Sequence, residues 1–167
     1  MNCTNLNTLI LPPSITSIGN DAFDSVGIKK LLLNEGLETV GNDFLYLSNN
    51  IEELYIPSTV KSFSNMNAFC YGCPTLKSIT VSDNNTVYSS LNGVMYNKNK
   101  TNIIKYPEGK EDKQYIMPDS VTSTSSYSFY KSKIEYFVFN DTITTTGDRL
   151  ISFSENLRNV KFGNNMT

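Results

Sequence analysis

The chain contains no histidine and no tryptophan, and only three of its 167 residues are cysteine. Without histidine, neither a Ser-His-Asp triad nor a Cys-His nucleophile can form, and zinc sites with imidazole ligands are excluded. The cysteines are Cys3, Cys70 and Cys73. A structural zinc site needs four ligands, so the single C-x-x-C pair favours small buried thiols, with a local disulfide as the alternative.

A surplus of charge of either sign is also missing. Lysine and arginine number 14 and the acidic residues 16, which gives a net charge of -2. A nucleic-acid binder needs a basic surface, and a polybasic membrane anchor needs a local excess of cations. No segment approaches the roughly 20 apolar residues of a membrane span, and residues 1–13 do not resemble a secretory signal. We therefore expect no nucleic-acid partner, no membrane insertion and no signal peptide in this chain.

The acidic residues do not form a catalytic constellation. Asp21, Asp43, Asp119 and Asp141 lie at turns, where aspartate is favoured because its side chain bonds the local backbone. No phosphate-binding loop, dinucleotide fingerprint or calcium loop is present. The sequence predicts a protein that is not an enzyme, with no cofactor and no catalytic or metal-binding residues.

The sequence does contain a repeat. Six segments share three apolar positions, separated by two residues and then by one, and the last position recurs about every 23 residues, which is typical of leucine-rich repeats. A partial seventh segment surrounds Tyr115 and Met117, after a longer interval from Val81. The six are Leu6, Leu9, Leu11; Ile28, Leu31, Leu33; Ile51, Leu54, Ile56; Leu76, Ile79, Val81; Ile134, Phe137, Phe139; and Leu157, Val160, Phe162.

The remainder of each unit repeats too. Pro12, Pro57 or Pro118 follows the strand and ends its pairing. Alternating stretches rich in β-branched residues predict a second short strand at 14–18, 36–40, 59–63, 120–124 and 142–146. Glycines are expected to permit the next turn, and phenylalanines to sit in helical or 3₁₀ turns and stack along the interior. These residues are Gly19, Gly41, Gly147, Phe23, Phe44, Phe69 and Phe129.

These features predict an α/β leucine-rich-repeat solenoid that is rich in β-structure. A parallel sheet would form one face, with short second strands and helical or 3₁₀ turns on the other. Residues 1–167 are expected to form a single solenoid. Because neither end has an obvious polar cap, we expect a fragment of a longer array, or ends that partners cover.

Residues 82–114 interrupt the repeat and are expected to form a β-hairpin or meander insertion. Asn92-Gly93 between two β-type runs is the best short-range signal for a hairpin. We interpret the segment as a small meander that projects from the solenoid. It would serve either as a structural excursion that re-enters the repeat at Tyr115 or as an element that contacts a ligand.

Three segments resemble the BspA-like leucine-rich-repeat family. They are 9–23 (LILPPSITSIGNDAF), 68–79 (with Cys73 at the family's usual cysteine and Cys70 additional) and the insert at 90–110. The resemblance implies a right-handed solenoid, on surface or secreted proteins of bacteria and of mucosal or gut protists. It also implies adhesion to host matrix proteins and other cells, without catalytic residues. The chain departs from the pattern near Thr124 and Thr146 and at 150–153.

An outward row on the predicted sheet is the candidate binding site. Its residues precede the last apolar position of each unit and should form a continuous stripe, which is either a partner-binding surface or a consequence of β-propensity alone. Lys29, Lys30, Glu52, Glu53 and Lys77 flank this row, and their alternation favours a charge ladder that holds the register. The row is Ile10, Leu32, Tyr55, Thr80, Ile116, Val138 and Lys161.

Two functions fit this sequence. The first is a protein-binding module of a cell-surface or secreted protein, which recognises a host matrix or serum protein or another surface protein. The alternative is a structural spacer or scaffold that presents other domains or self-associates through its end turns. Asn-x-Thr sequons at Asn2, Asn84, Asn99, Asn140 and Asn165 fit N-glycosylation if the source is a secreting eukaryote, although the abundance of Asn and Thr explains them by chance.

Overall fold

The computed structural model describes residues 7–65 and 69–165. Within these residues the chain forms a β-solenoid in which seven short strands make the front face, in two separate parallel sheets. This confirms the strands that the apolar frame predicts. The N-terminal front sheet contains β1 (Thr8–Ile10), β3 (Lys30–Leu32), β5 (Glu53–Ile56) and β7 (Ser78–Val81), and the C-terminal front sheet contains β11 (Gln114–Ile116), β13 (Tyr136–Val138) and β14 (Asn159–Lys161).

The second short strands are also present. β2 (Ser17–Ile18), β4 (Thr39–Val40) and β6 (Ser62–Phe63) form a parallel side sheet. Further along the chain, β12 (Ser123–Thr124) pairs with a strand of the insertion, and a single bridge joins Ser123 to Thr145. Among the described residues, five of the seven front strands are therefore followed by a side strand or bridge, at the five places where the β-branched stretches predict one.

The apolar frame fills a narrow core between these sheets. Leu31, Leu54 and Ile79 are in register across three front strands and are almost fully buried. The rings of Phe44 and Phe69 stack at 5.8 Å, which confirms the expected interior stack for this pair. Since truncation of such a residue to alanine costs about 2–5 kcal/mol, these side chains are the main source of stability in each turn.

The predicted helical and 3₁₀ turns are wrong, because residues 7–65 and 69–165 contain no helix, and hence none that could span a membrane. Asp21 and Ser25 have positive φ angles of 54° and 53°, which break a right-handed helix. Their amides donate to the carbonyls of Asn42 and Tyr46 in the next turn, and Phe23 donates to Phe44. The hydrogen bonds thus run between turns instead of along a helix.

Gly41 is required for a different reason from the one expected. Its φ is not positive, but a Cβ atom there would lie 2.4 Å from the backbone carbon of Gly19. Gly19 is the equivalent residue of the preceding turn, and no atom of the described residues lies within 4 Å of its own Cβ position. Glycine at position 41 therefore permits close approach of two turns.

The insertion forms an antiparallel meander. It contains β8 (Tyr88–Leu91), β9 (Val94–Asn97) and β10 (Asn102–Lys105), and β10 pairs in parallel with β12. Asn92 and Gly93 form the hairpin turn, with φ angles of 51° and 78°. The hairpin that this dipeptide predicts is confirmed.

The expectation that the meander projects from the solenoid is wrong, because it lies between two halves of the core. Met95 and Ile104 belong to the N-terminal core cluster with Tyr88. Val94, Tyr96 and Ile103 belong to the C-terminal cluster. Successive residues of a strand point to opposite faces, so consecutive apolar residues allow one layer to pack against both halves.

Candidate functional site

The seven residues of the predicted row all lie on the front strands with outward or partly outward side chains. Ile10 is 67% exposed and Ile116 is 63% exposed, and Tyr55 is the third exposed apolar member. Leu32 and Val138 are half-buried, whereas Thr80 and Lys161 are exposed polar members. The row therefore offers apolar surface on five strands.

The predicted continuous stripe is wrong, because the structure divides the row in two. Ile10, Leu32, Tyr55 and Thr80 are aligned across the N-terminal front sheet. Ile116, Val138 and Lys161 are aligned across the C-terminal front sheet. β7 and β11 are not paired, since the meander separates them.

The tip of the β8–β9 hairpin occupies the free edge of β7. The amide of Ile79 donates to the carbonyl of Gly93 at 2.9 Å, and the amide of Val81 donates to the hydroxyl of Ser90 at 3.0 Å. These bonds satisfy the donors that a further strand would otherwise pair. The hairpin tip therefore takes the place of a strand beside β7.

β11 has no strand partner on the side that faces the hairpin, within the described ranges 7–65 and 69–165. The carbonyl of Lys113 and the amide of Met117 form hydrogen bonds with β13. Alternate residues of a strand in a parallel sheet bond to opposite sides, so the amide of Ile116 points away from β13. A notch of about 290 Å³ lies there, with Leu91 and Ile116 on its walls and Lys110 and Asp112 at its rim.

The predicted charge ladder is present only in part, because Lys77 and Glu52 form an ion pair whereas Lys29, Lys30 and Glu53 form none among the described residues. Lys77 pairs with Glu52 at 3.2 Å, and Lys113 pairs with Glu135 at 2.7 Å. The hydrogen bond from Lys113 lowers the pKa of Glu135. Because three of these four side chains are well exposed and Glu135 is partly exposed, the pairs set register and electrostatic neutrality more than stability.

Two front-face residues were missed by the sequence reasoning. Tyr136 lies outward on β13 and is 45% exposed, at the flanking position that Lys30 occupies on β3 and Glu53 on β5. Leu91 is exposed at the hairpin tip, beside the break between the front sheets. The Asn92-Gly93 signal locates the tip along the chain but not its place in the solenoid.

The cysteines of the C-x-x-C pair are buried free thiols, in agreement with the interpretation as core residues. Cys73 donates to the carbonyl of Leu45, and burial raises the pKa of Cys70. Cys3 lies outside the described residues. No group of three or more Cys, Asp or Glu side chains in the described part of the chain is arranged to hold a metal ion.

The sequons differ in accessibility. Asn84 and Asn99 are exposed, but Asn140 is buried. The amide of Asn140 donates to the carbonyls of Pro118 and Val121, so this side chain serves the fold. The asparagine of the first sequon and the threonine of the last lie outside the described residues.

The repeat and its geometry agree with a known family. The chain matches the BspA type leucine rich repeat region in six copies, over residues 1–101 and 107–167. The chain belongs to the BspA-type leucine-rich-repeat family. No curated protein sequence matches it significantly.

Three solved structures are similar in fold to this chain. The pneumococcal vaccine antigen PcpA is 28% identical with a TM-score of 0.85, and the match covers 96% of this chain and 40% of that one. A leucine rich cell surface protein from Faecalibacterium prausnitzii is 19% identical with a TM-score of 0.83, and the match covers 96% of this chain and 42% of that one. A leucine-rich repeat protein from Eubacterium ventriosum is 22% identical with a TM-score of 0.71, and the match covers 96% of this chain and 55% of that one.

This chain thus spans about two fifths to just over half of the length of these structures. The latter two, below 25% identity, share the fold alone.

Proposed function

We propose that this chain is a non-catalytic protein-binding module of a cell-surface or secreted protein, and that it recognises a partner through its front face. The observation that carries the proposal is the outward apolar row on the N-terminal front sheet, where Leu32 and Tyr55 are aligned on neighbouring strands. A solvated sheet face would ordinarily carry polar side chains at such positions. A shallow cavity of about 340 Å³ lies over these strands.

The surroundings of this cavity suit a protein partner. Lys30 and Glu53 are in register on the same two strands, so both signs of charge flank the apolar centre. An apolar centre with a polar rim is the usual composition of a protein-protein interface. Similarity to a vaccine antigen and to a cell surface protein supports a location outside the cell.

The proposal is tested by capture on purified extracellular-matrix and serum proteins, one at a time. The variant Leu32→Asp, Tyr55→Asp places two charges in the centre of the row. The variant Thr39→Asp, Ser62→Asp is a matched control, since these two residues are outward neighbours on the side sheet. We expect binding by the wild type and the control, and at least a tenfold weaker Kd for the front-face variant, provided that all three unfold at similar temperatures.

Binding that the front-face variant retains would place the site elsewhere. If the wild type binds none of the proteins, the front face loses its adhesive role, and a spacer or scaffold that presents other domains becomes the better account.

A further inference from the structure

The edge of β11 that faces the hairpin tip presents unpaired backbone groups to the notch. Because Lys113 and Met117 bond to β13, the alternation of a parallel ladder turns the amides and carbonyls of Gln114 and Ile116 the other way. Within residues 7–65 and 69–165, no strand pairs with this edge, and no other segment forms a hydrogen bond with the backbone of Gln114 or Ile116 on this side. These groups match the backbone of one more extended segment.

The opposite edge of the same break is covered. The carbonyl of Gly93 accepts from the amide of Ile79 at 2.9 Å, and the hydroxyl of Ser90 accepts from the amide of Val81 at 3.0 Å. A Cβ atom on Gly93 would lie 2.9 Å from Oγ of Ser78, so the hairpin tip is packed directly against β7. The tip thus protects β7 and leaves β11 open, although proteins usually cover a strand edge against unwanted pairing.

The walls of the notch indicate which kind of segment fits. Leu91 of the hairpin tip and Ile116 of β11 both line it, and they are 40% and 63% exposed. The charges at the rim cancel, because Nζ of Lys110 pairs with Oδ2 of Asp112 at 3.0 Å. An uncharged segment with β-branched or apolar side chains therefore suits the notch better than a charged one.

We propose that an extended, uncharged segment of a partner protein adds to β11 as a further strand at this notch. Its backbone pairs with Gln114 and Ile116, and its side chains pack between Leu91 and Ile116. Ile116 belongs both to the notch and to the outward row, so the site is continuous with the front face. The inference rests on the proposed protein-binding function and names the element of the partner that is recognised.

The probe is the synthetic peptide acetyl-Thr-Val-Thr-Val-Thr-amide, titrated into the ¹⁵N-labelled chain. We expect saturable shifts of the amides of Gln114 and Ile116, at a Kd on the order of 1 mM. At saturation, the amide of Ile116 should exchange with deuterium at least about fivefold more slowly. The same peptide with every amide N-methylated keeps its side chains but has no backbone donors, and it should not bind measurably.

Ile116→Pro and Ile10→Pro form a matched pair of variants. Each proline falls on the last residue of an edge strand of a front sheet, at an amide that does not bond to the neighbouring strand, so both variants should fold. Ile116→Pro puts a ring in place of the donor and should weaken the Kd at least about tenfold. Ile10→Pro should leave the Kd unchanged.

The Leu32→Asp, Tyr55→Asp variant should bind the peptide like the wild type, so a failure of the N-terminal front face is distinguished from a failure of this site. The proposal is overturned if the peptide produces no saturable shifts on β11, or if its N-methylated form binds equally well. It is also overturned if Ile116→Pro binds like the wild type, or if the amide of Ile10 shifts as much as that of Ile116, which would indicate pairing at any open edge.

Discussion

The phenol oxygens of Tyr96 and Tyr115 lie 2.9 Å apart in the buried core. Tyr96 belongs to β9 of the meander and Tyr115 to β11, so this hydrogen bond joins the insertion to the first strand of the C-terminal front sheet. Both rings contribute to the C-terminal core cluster. The meander is therefore part of the folding unit and not an appendage to it.

Removal of the Tyr115 hydroxyl should show how much the stability of the protein depends on this hydrogen bond. We expect Tyr115→Phe to lower the free energy of unfolding by about 1–3 kcal/mol, because the hydroxyl of Tyr96 loses its buried partner. Chemical denaturation measures the change. Tyr136→Phe, at an exposed tyrosine of the next front strand, is the control and should be neutral. Equal stability of the two variants would contradict the role of the hydrogen bond.

The stability of the protein should fall as the pH rises above about 10. Burial raises the pKa of Tyr115 and of Tyr106 far above the ordinary value of 10.0, and a hydrogen bond to Tyr130 raises the pKa of Tyr71 to about 12. In this range the unfolded chain has lost phenolic protons that the folded chain still holds. Fewer protons on the unfolded state make the free energy of unfolding decrease with pH.

Urea denaturation at pH 8, 10 and 11 tests this dependence. The free energy of unfolding should already be lower at pH 10, where each phenol of the unfolded chain is half ionised, and should be lower again at pH 11. A midpoint that stays constant up to pH 11 would show that these phenols are not protected by folding.

Gly41 and Gly19 provide a matched pair for the packing of adjacent turns. Gly41→Ala places a methyl group 2.4 Å from the backbone of Gly19, so we expect a loss of about 1–3 kcal/mol in the free energy of unfolding. Gly19→Ala meets no atom within 4 Å and should be neutral or stabilising by up to about 1 kcal/mol. Thermal unfolding measures the stability of both variants. A loss for Gly41→Ala alone would show that position 41 needs glycine for close packing of the turns, and equal losses would point to backbone flexibility.

Much of this architecture follows from the sequence, since the apolar frame predicts the front strands and the β-branched stretches predict the side strands. The helical turns could not be excluded in advance, because Asp21 and Ser25 adopt positive φ only when their amides bond to the next turn. That choice is tertiary, and local propensity does not reveal it.

The sequence predicts in part that the meander is buried. Val94, Met95 and Tyr96 are consecutive apolar residues, and such a run is typical of a strand buried on both faces. The outward row was predictable from strand alternation, but its division was not, because the insertion of the hairpin tip beside Ile79 depends on a hydrogen bond between distant segments.

The open edge of β11 should be visible in amide exchange. We expect the amide of Ile116 to exchange with solvent deuterium at least about tenfold faster than that of Val138, because Val138 lies on a strand that is paired on both sides. Unpaired edge amides are accessible without global unfolding. Two-dimensional NMR after transfer to deuterated buffer measures both rates. Equal protection would mean that Ile116 has a hydrogen-bond acceptor and that the front face is continuous at this point.

Asn85 is the strongest polar link between the meander and the turn before it. Its amide donates to the carbonyls of Pro57 and Val60, and its oxygen accepts from the amides of Val87 and Tyr88. At about 1 kcal/mol for each hydrogen bond, we expect Asn85→Ala to reduce the free energy of unfolding by roughly 3–4 kcal/mol.

Asn84→Ala is the control for this substitution, since Asn84 is the exposed neighbour on the same turn. It should change the free energy of unfolding by less than about 0.5 kcal/mol. A small effect at both positions would mean that water replaces the four bonds of Asn85, and the meander would then be held by its apolar contacts alone.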